Sequence, residues 1–203
     1  MIENLVDNGF DYIDLGLPSG TLWATCNVGA TKPNEPGLYF QWGDTVGYTK
    51  DQIGKDKQFT WADYKWNPSG DGETFTKYKN PGDKLELKDD AAHVYMGGSW
   101  HIPSPEQIQE LIYNTFQGRV MMERIGGNLF VSLKDMSKEL CFPAVGHAEN
   151  GSIRGYNGHS ISWSSALSTH TTDFGQFLSD SDTSTYLSSY SRCYGFTIRG
   201  VIG

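Results

Sequence analysis

From Asn150 to Gly203 the chain meets two demands that seldom coincide. Roughly a third of this stretch is Ser or Thr, yet it also carries Trp163, Phe174, Phe177, Leu178, Tyr186, Leu187, Tyr190, Tyr194 and Phe196. Disorder follows from too little apolar surface to bury, and a linker does not hold that many large apolar groups. Short strands with small polar residues on the outward positions reconcile the two. Candidates are Phe174–Asp180, Ser184–Ser189 and Tyr194–Ile202. Beyond Glu149 there is also no Lys, Glu or Met.

The rest of the chain adds strands, turns and two helical signals. Asp11–Gly16 alternates polar and apolar residues as a half-buried strand does, and Thr21–Val28 and Gly37–Gly43 read as strands bounded by turn residues. Residues 44–84 read as a long loop layer pinned by Trp61, Tyr64, Trp66, Phe75 and Tyr78. Asp89–Tyr95 reads as a short helix closed by Gly97-Gly98. The clearest helix is Ser104–Phe116: Ser104 as N-cap, Pro105 at the first position and Gln107 completing a capping box, with Ile108, Leu111, Ile112 and Phe116 on one face. Arg119–Ile125 and Asn128–Leu133 flank Gly126-Gly127, a hairpin signal, and Glu139–Val145 is a further strand. With 203 residues, 13% aromatic content and 24 Gly, the expectation is one α+β domain over residues 1–203, with no internal repeat.

Charge and cysteine use narrow the function. A net charge of −8 argues against a nucleic-acid or anionic-membrane binder, which needs a basic face. No stretch has the apolar length of a membrane span, and Met1–Gly20 shows no secretory leader pattern. Cys26, Cys141 and Cys193 lie far apart with no C-x-x-C spacing, so either one disulfide with a free thiol or three free thiols is open, and zinc is not indicated. His93, His101, His147, His159 and His170 are scattered without metal-ligand spacing, and Glu106 and Glu110 share a solvent face of the predicted helix rather than forming a catalytic pair. Asp180-Ser181-Asp182 could take a cation but reads better as a solvated turn. No catalytic motif is present, and no cofactor or metal is expected.

Several separated motifs resemble one family when taken in order. They are Trp23–Ala30 (WATCNVGA), Gly37–Thr45 (GLYFQWGDT), Phe59–Trp66 (FTWADYKW), Asp89–Leu111, Phe142–His147 (FPAVGH), Trp163–Leu167 (WSSAL) and Arg192–Val201 (RCYGFTIRGV). The set resembles the Fibrobacter succinogenes major paralogous domain, common among surface proteins of gut Bacteroidetes. It is similar, through that family, to formylglycine-generating enzymes and to the variable proteins of diversity-generating retroelements. The resemblance implies a C-type-lectin-like α+β fold: two helices, short mostly antiparallel strands, paired terminal strands and a loop-rich ligand face. Ser162 stands where the family often has Tyr, and Ile198–Val201 reads IRGV where the family often has VRPV.

Each chemistry of these relatives can be tested on the residues. Calcium-dependent sugar binding uses an acidic-Pro-Asn loop and carboxylate ligands, but Trp66-Asn67-Pro68 lacks the acid and Asn34-Glu35-Pro36 lies in the wrong part of the chain. The formylglycine chemistry needs two reactive thiols near the C-terminus; Cys193 matches one, but Ser188 and Ser189 stand where the other should be. Retroelement variation randomises adenines in the template, so AAC and AAT codons yield Asn, Tyr, Ser, Thr, Asp, His and Arg but never Lys, Glu, Gln, Met or Trp. Residues 150–203 hold no Lys, Glu or Met, one Gln (Gln176) and one Trp (Trp163), the last in the scaffold-like WSS and so fixed, although strands are also poor in Lys and Glu for their own reasons.

The resulting expectation is a non-enzymatic receptor- or adhesin-type binding protein, associated with a cell surface or a phage virion, whose ligand is a protein or glycan on another cell or virion. Whether residues 150–203 are diversified stays open, as do a formylglycine-type oxidase relative and an undiversified structural surface protein. The expected scaffold is Trp163, Ser164, Ser165, Arg192, Gly195, Phe196 and Arg199. The expected ligand patch is Arg154, Tyr156, Asn157, His159, Ser162, His170, Thr172, Asp173, Tyr186, Ser188, Tyr190, Ser191, Cys193 and Tyr194. Alternation along a strand makes Tyr186, Ser188 and Tyr190 point together and requires a bulge or turn before Arg192 can face inward.

Overall fold

The computed structural model describes residues 5–180 and 184–203. Among the described residues, twelve short strands form four antiparallel sheets. The first sheet joins the two ends of the chain: β1 (Leu5–Asp7), β2 (Phe10–Ile13), β3 (Leu22–Asn27) and β12 (Arg199–Ile202), in that order. The second is β4 (Thr115–Met122), β5 (Ile125–Ser132) and β6 (Glu139–Pro143). A two-stranded ribbon holds β7 (His147–Glu149) and β8 (Ser152–Arg154). The last sheet runs β11 (Thr185–Ser191), β10 (Phe174–Asp180), β9 (Ser160–Leu167).

This corrects the expected α+β, C-type-lectin-like architecture. Strand makes up 39% of the chain and helix 12%, so the molecule is mostly β and has no pair of helices packed on a sheet. α1 (Ala91–Met96) is six residues, held by the Asp90 carboxylate accepting from His93 N at 2.9 Å and ended at Gly97 with φ +70°. α2 (Pro105–Tyr113), nine residues, is the only substantial helix among the described residues. Its start follows the sequence signal: Gln107 N donates to Ser104 Oγ and Ser104 N to Gln107 Oε1. Its end does not reach Phe116. Asn114 Nδ2 donates to Glu110 O and Thr115 Oγ1 to Leu111 O, which satisfies the last carbonyls and releases the chain into β4. Phe116 is therefore an exposed strand residue.

The Gly126-Gly127 turn is also corrected. Both glycines lie inside β5, and the hairpin turns at Glu123-Arg124, with Met122 opposite Ile125 and Glu123 at φ +58°. Gly127 is there for close approach: a Cβ would sit 2.7 Å from Met122 Sδ and 2.9 Å from Phe142 O. Gly37–Gly43 is a segment buried from Tyr39 onward and tied by single bridges, Tyr39 to Tyr48 and Phe40 to Phe196, before a turn at Trp42-Gly43, rather than a strand. Residues 44–84 contain short 3-10 turns at Lys50–Gln52 and Trp61–Asp63, with Phe59, Tyr64, Phe75 and Tyr78 turned inward.

The β9–β10–β11 sheet lies between two cores. The register pairs Trp163 with Phe177 and Ile161 with Ser179, so Ile161, Trp163 and Phe177 share one face, which meets Trp42, Phe40 and Phe196. Leu178 and its partner Leu187 take the opposite face, toward Ile108 and Leu111 of α2 and Trp23 and Phe130. Small Ser and Gly residues suit a strand buried on both sides, because two close-packed layers leave little room for more. At Gly175 a Cβ would lie 2.8 Å from Trp42 and 2.9 Å from Trp163.

Candidate functional site

The residues expected as scaffold are buried, apart from half-buried Ser165. Trp163 is fully buried, stacks on Phe196 at 3.9 Å and 14°, and donates from Nε1 to Phe40 O at 2.8 Å. Arg192 and Arg199 are both 0% exposed. Arg192 donates to Tyr78 O and lies 3.6 Å from the centre of the Phe75 ring. Arg199 donates to Asn27 Oδ1, Ala24 O, Thr25 O and Cys141 O. β11 ends at Ser191, and Tyr194 N donates to Ser191 O across a turn that swings Arg192 inward.

That turn also builds a surface. Tyr190 and Tyr194 meet at 5.3 Å between ring centres, His147 of β7 lies 6.0 Å from Tyr190 and 6.1 Å from Tyr194, and Phe174 lies 6.3 Å from Tyr190. Beneath them, Phe196 lies 5.4 Å from His147 and 6.5 Å from Tyr190. Rings thus run without a break from Trp163 in the core to Tyr190, which is 41% exposed. Polar groups border the rings: His147 Nε2 is 3.3 Å from Glu149 Oε2, and Arg154 Nε is 3.5 Å from Glu149 Oε1. β7 and β8 join through Asn150 at φ +46° and Gly151 at φ +72°, the primed two-residue turn that an Asn-Gly pair favours.

The other expected ligand residues divide three ways. Arg154, at the end of β8, and Tyr156 and His159, on the segment after it, are exposed, with Lys50 Nζ 3.8 Å over the Tyr156 ring and the His159 ring against Gly155. Asn157 lies on the same loop, but its Oδ1 accepts from Gly126 N at 2.7 Å, a structural tie. His170 and Ser188 line a separate open depression of about 260 Å³ with Gln176 and Ser189. Thr172 and Asp173 are half-buried nearby; Asp173 accepts from Thr171 Oγ1 and, through its carbonyl, from Arg192 N. Tyr186, Ser188 and Tyr190 share one face of β11, opposite Ser179, Phe177 and Gly175, while Ser191 lies against Cys193 at 3.3 Å.

Two residues are not on the surface. Ser162 is buried and its Oγ accepts from Arg199 N, because its strand is covered on both faces. Cys193 is 1% exposed among Tyr64 and Phe75, and burial pushes its thiol up to about 12. All three cysteines are free. His147, Glu149 and Phe174 belong to the cluster but not to the sequence expectation; FPAVGH holds His147, yet nothing local to it shows that Tyr190 and Tyr194 would fold over that ring.

Other binding chemistry has few candidates. Among the described residues no group of three or more His, Cys, Asp or Glu is placed to hold a metal ion. Asp180 is buried and accepts from Thr185 Oγ1, whereas Ser181 and Asp182 lie outside the described residues. No described helix is long and apolar enough to cross a membrane. No family model, curated protein or solved structure matches the chain.

Burial holds the His147 pKa below its usual 6.5, against the pull of Glu149. A base with a depressed folded pKa binds fewer protons folded than unfolded, so its stability contribution is complete above pH 6.5 and shrinks as pH falls toward the folded value. His147 should contribute a fall in the thermal midpoint as pH drops below 6.5, and His147→Asn should remove that part of the pH dependence. An equal slope in wild type and variant would remove His147 as the titrating group.

Proposed function

We propose that the chain is a non-enzymatic binding module whose ligand face is the tyrosine cluster of β11 and the following turn, flanked by β7, β8 and the loop carrying Tyr156 and His159. The observation that carries this reading is the continuous stack Trp163–Phe196–Tyr190–Tyr194, which holds half-exposed aromatic rings rigidly over a close-packed core. Tyrosine gives a large amphipathic contact at small entropic cost, and surrounding Ser, Asn and Gly add adaptable hydrogen bonds. The ordered motifs resembling the Fibrobacter succinogenes major paralogous domain support a surface-exposed, receptor- or adhesin-type role toward a protein or glycan on another cell or virion. A diversified C-terminal region fits its lack of Lys, Glu and Met beyond Glu149.

An oxidase of the formylglycine type would need an accessible thiolate. Cys193 is enclosed, its thiol is disfavoured as an anion, and its Sγ lies 3.3 Å from the Ser191 hydroxyl.

Glycan arrays and arrays of extracellular proteins probed with the purified chain test the proposal. A true ligand should lose about 2 kcal/mol or more, roughly thirtyfold, on Tyr190→Ala. The same variant should unfold within about 1 kcal/mol of wild type, since its ring is already half in water. A ligand indifferent to both Tyr190→Ala and Tyr194→Ala, or turnover dependent on Cys193, would overturn the reading. In the genome, a near-copy of the DNA for the C-terminal region beside a reverse transcriptase, differing chiefly at adenines, would establish diversification; its absence would leave an undiversified binding module.

A further inference from the structure

The outer edge of β11 stands apart from every other sheet edge. Among the described residues its only strand partner is β10. Exposed edges are ordinarily guarded by charge, proline or a cover. β1 carries Asp7, β4 carries Arg119, β6 carries Glu139 and Pro143, and the β7–β8 ribbon carries Glu149 and Arg154. β12 is bridged by His101, and β9, also uncharged, is covered by main-chain bonds from Trp163 N to Thr197 O, Ser165 N to Pro103 O and Leu85 N to Ser165 O. β11 reads TYLSSYS, with neither charge nor proline and, among the described residues, no such cover.

Its sequence also says what would cover it. Read about Ser188, the strand nearly mirrors itself: Thr185 answers Ser191, Tyr186 answers Tyr190, and Leu187 answers Ser189. Two copies related by a two-fold axis through Ser188 would pair antiparallel in that register. Tyr186 shares a face with Tyr190 within one chain, so pairing sets Tyr186 of each copy directly beside Tyr190 of the other, twice. Aromatic cross-strand pairs are favourable, and a two-fold interface requires this kind of self-complementarity. It also gives a neighbour to Tyr186, which is 49% exposed and lies away from the tyrosine cluster.

We propose that β11 is the edge through which two copies of this chain dimerise, joining two three-stranded sheets into one of six strands with Ser188 on the axis. The pairing uses main-chain hydrogen bonds, so it is independent of the ligand reading. Where both hold, the dimer presents two tyrosine clusters on one rigid sheet and binds a multivalent target with avidity.

Cysteine trapping tests the geometry. Directly opposed residues of an antiparallel pair have Cα atoms about 4.5–5.5 Å apart, within disulfide range. Ser188→Cys should therefore form a covalent dimer with oxidised glutathione: the two thiols give up two protons and two electrons, and one oxidised glutathione leaves as two reduced molecules. Tyr186→Cys should not, because in this register its own copy is four residues away along the strand, about 13 Å. Wild type treated in the same way reports any background from Cys26 and Cys141. Sedimentation velocity of wild type should show a concentration-dependent monomer–dimer equilibrium, and Ser188→Lys, with like charges face to face, should weaken it about tenfold or more. Circular dichroism verifies that the lysine variant is folded; if it is not, the cysteine pair carries the test alone. A wild type that stays monomeric with no Ser188→Cys cross-link overturns the proposal. So does cross-linking of Tyr186→Cys but not Ser188→Cys, or a dimer that folded Ser188→Lys leaves intact.

Discussion

Trp163→Ala is expected to destabilise the protein by about 3–5 kcal/mol. The indole is 0% exposed, stacks on Phe196, meets Phe177 edge-on at 6.1 Å and gives its N–H to Phe40 O. Removing it opens a cavity between β9 and the Gly37–Gly43 segment and leaves the Phe40 carbonyl one donor short. Trp42 and Trp163 both already pack against the backbone of Gly175, where an added Cβ would lie under 3 Å from each ring. The damage should also reach the surface. Phe196 is the platform beneath His147 and Tyr190, so near-ultraviolet circular dichroism should show loss of aromatic order in Trp163→Ala even where the protein remains folded. Denaturant unfolding gives the magnitude. A loss under about 1 kcal/mol would mean that the ring is not the keystone between core and cluster.

Arg199→Lys is expected to cost about 3 kcal/mol or more, although charge is conserved. The guanidinium reaches acceptors on two elements at once: Ala24 O, Thr25 O and Asn27 Oδ1 on β3, and Cys141 O on β6. Its plane also lies over Phe142, 4.4 Å from the ring centre. No carboxylate pairs with it among the described residues; burial draws its pKa down to about 10, and neutral carbonyl dipoles carry the compensation. An ammonium offers three donors at one point and cannot span β3 and β6 together. Lysine would leave acceptors unsatisfied while still confining a cation, or would shed its proton and make stability rise with pH. Arg199→Met removes the cation as well as the donors, so its cost should be no greater than that of lysine. Unfolding free energies of the two variants, compared across pH, decide this; a lysine variant as stable as wild type would show that position 199 is solvated.

The tyrosine and arginine positions show where reading by pattern succeeds. Period-two alternation places Tyr186, Ser188 and Tyr190 on one face, and register pairing with Ser179, Phe177 and Gly175 has them there. The same alternation demands a turn before Arg192, and the Ser191–Tyr194 turn supplies it. The capping box at Ser104 was equally legible, since a cap is made by residues three apart. Phe116, Gly127 and Cys193 went the other way. Helical spacing fits Phe116 to the face of Ile112, but helix ends are settled by which side chains take the last carbonyls. A glycine pair signals a turn locally, whereas Gly127 answers to Met122 and to Phe142 across the sheet. Cys193 sits in a polar, aromatic sentence of sequence and reads as exposed; Tyr64 and Phe75, more than a hundred residues away, bury it.

By itself, then, the sequence determined what depends on neighbours along the chain: that the Ser- and Thr-rich C-terminus carries strands at Phe174–Asp180 and about Ser184–Ser189, though the strand expected over Tyr194–Ile202 is confined to Arg199–Ile202, that helix starts at Ser104, and that alternate residues of β11 look the same way. Tertiary structure alone decided that helix would be minor, because the strands find their partners at long range and the β9–β10–β11 sheet buries both faces, with the single helix α2 on only one of them. It alone brought His147, with Glu149 bordering it, beside Tyr190 and Tyr194. A site of that kind is made by the packing of rings from separate strands, and no spacing within any one of them records which rings will meet.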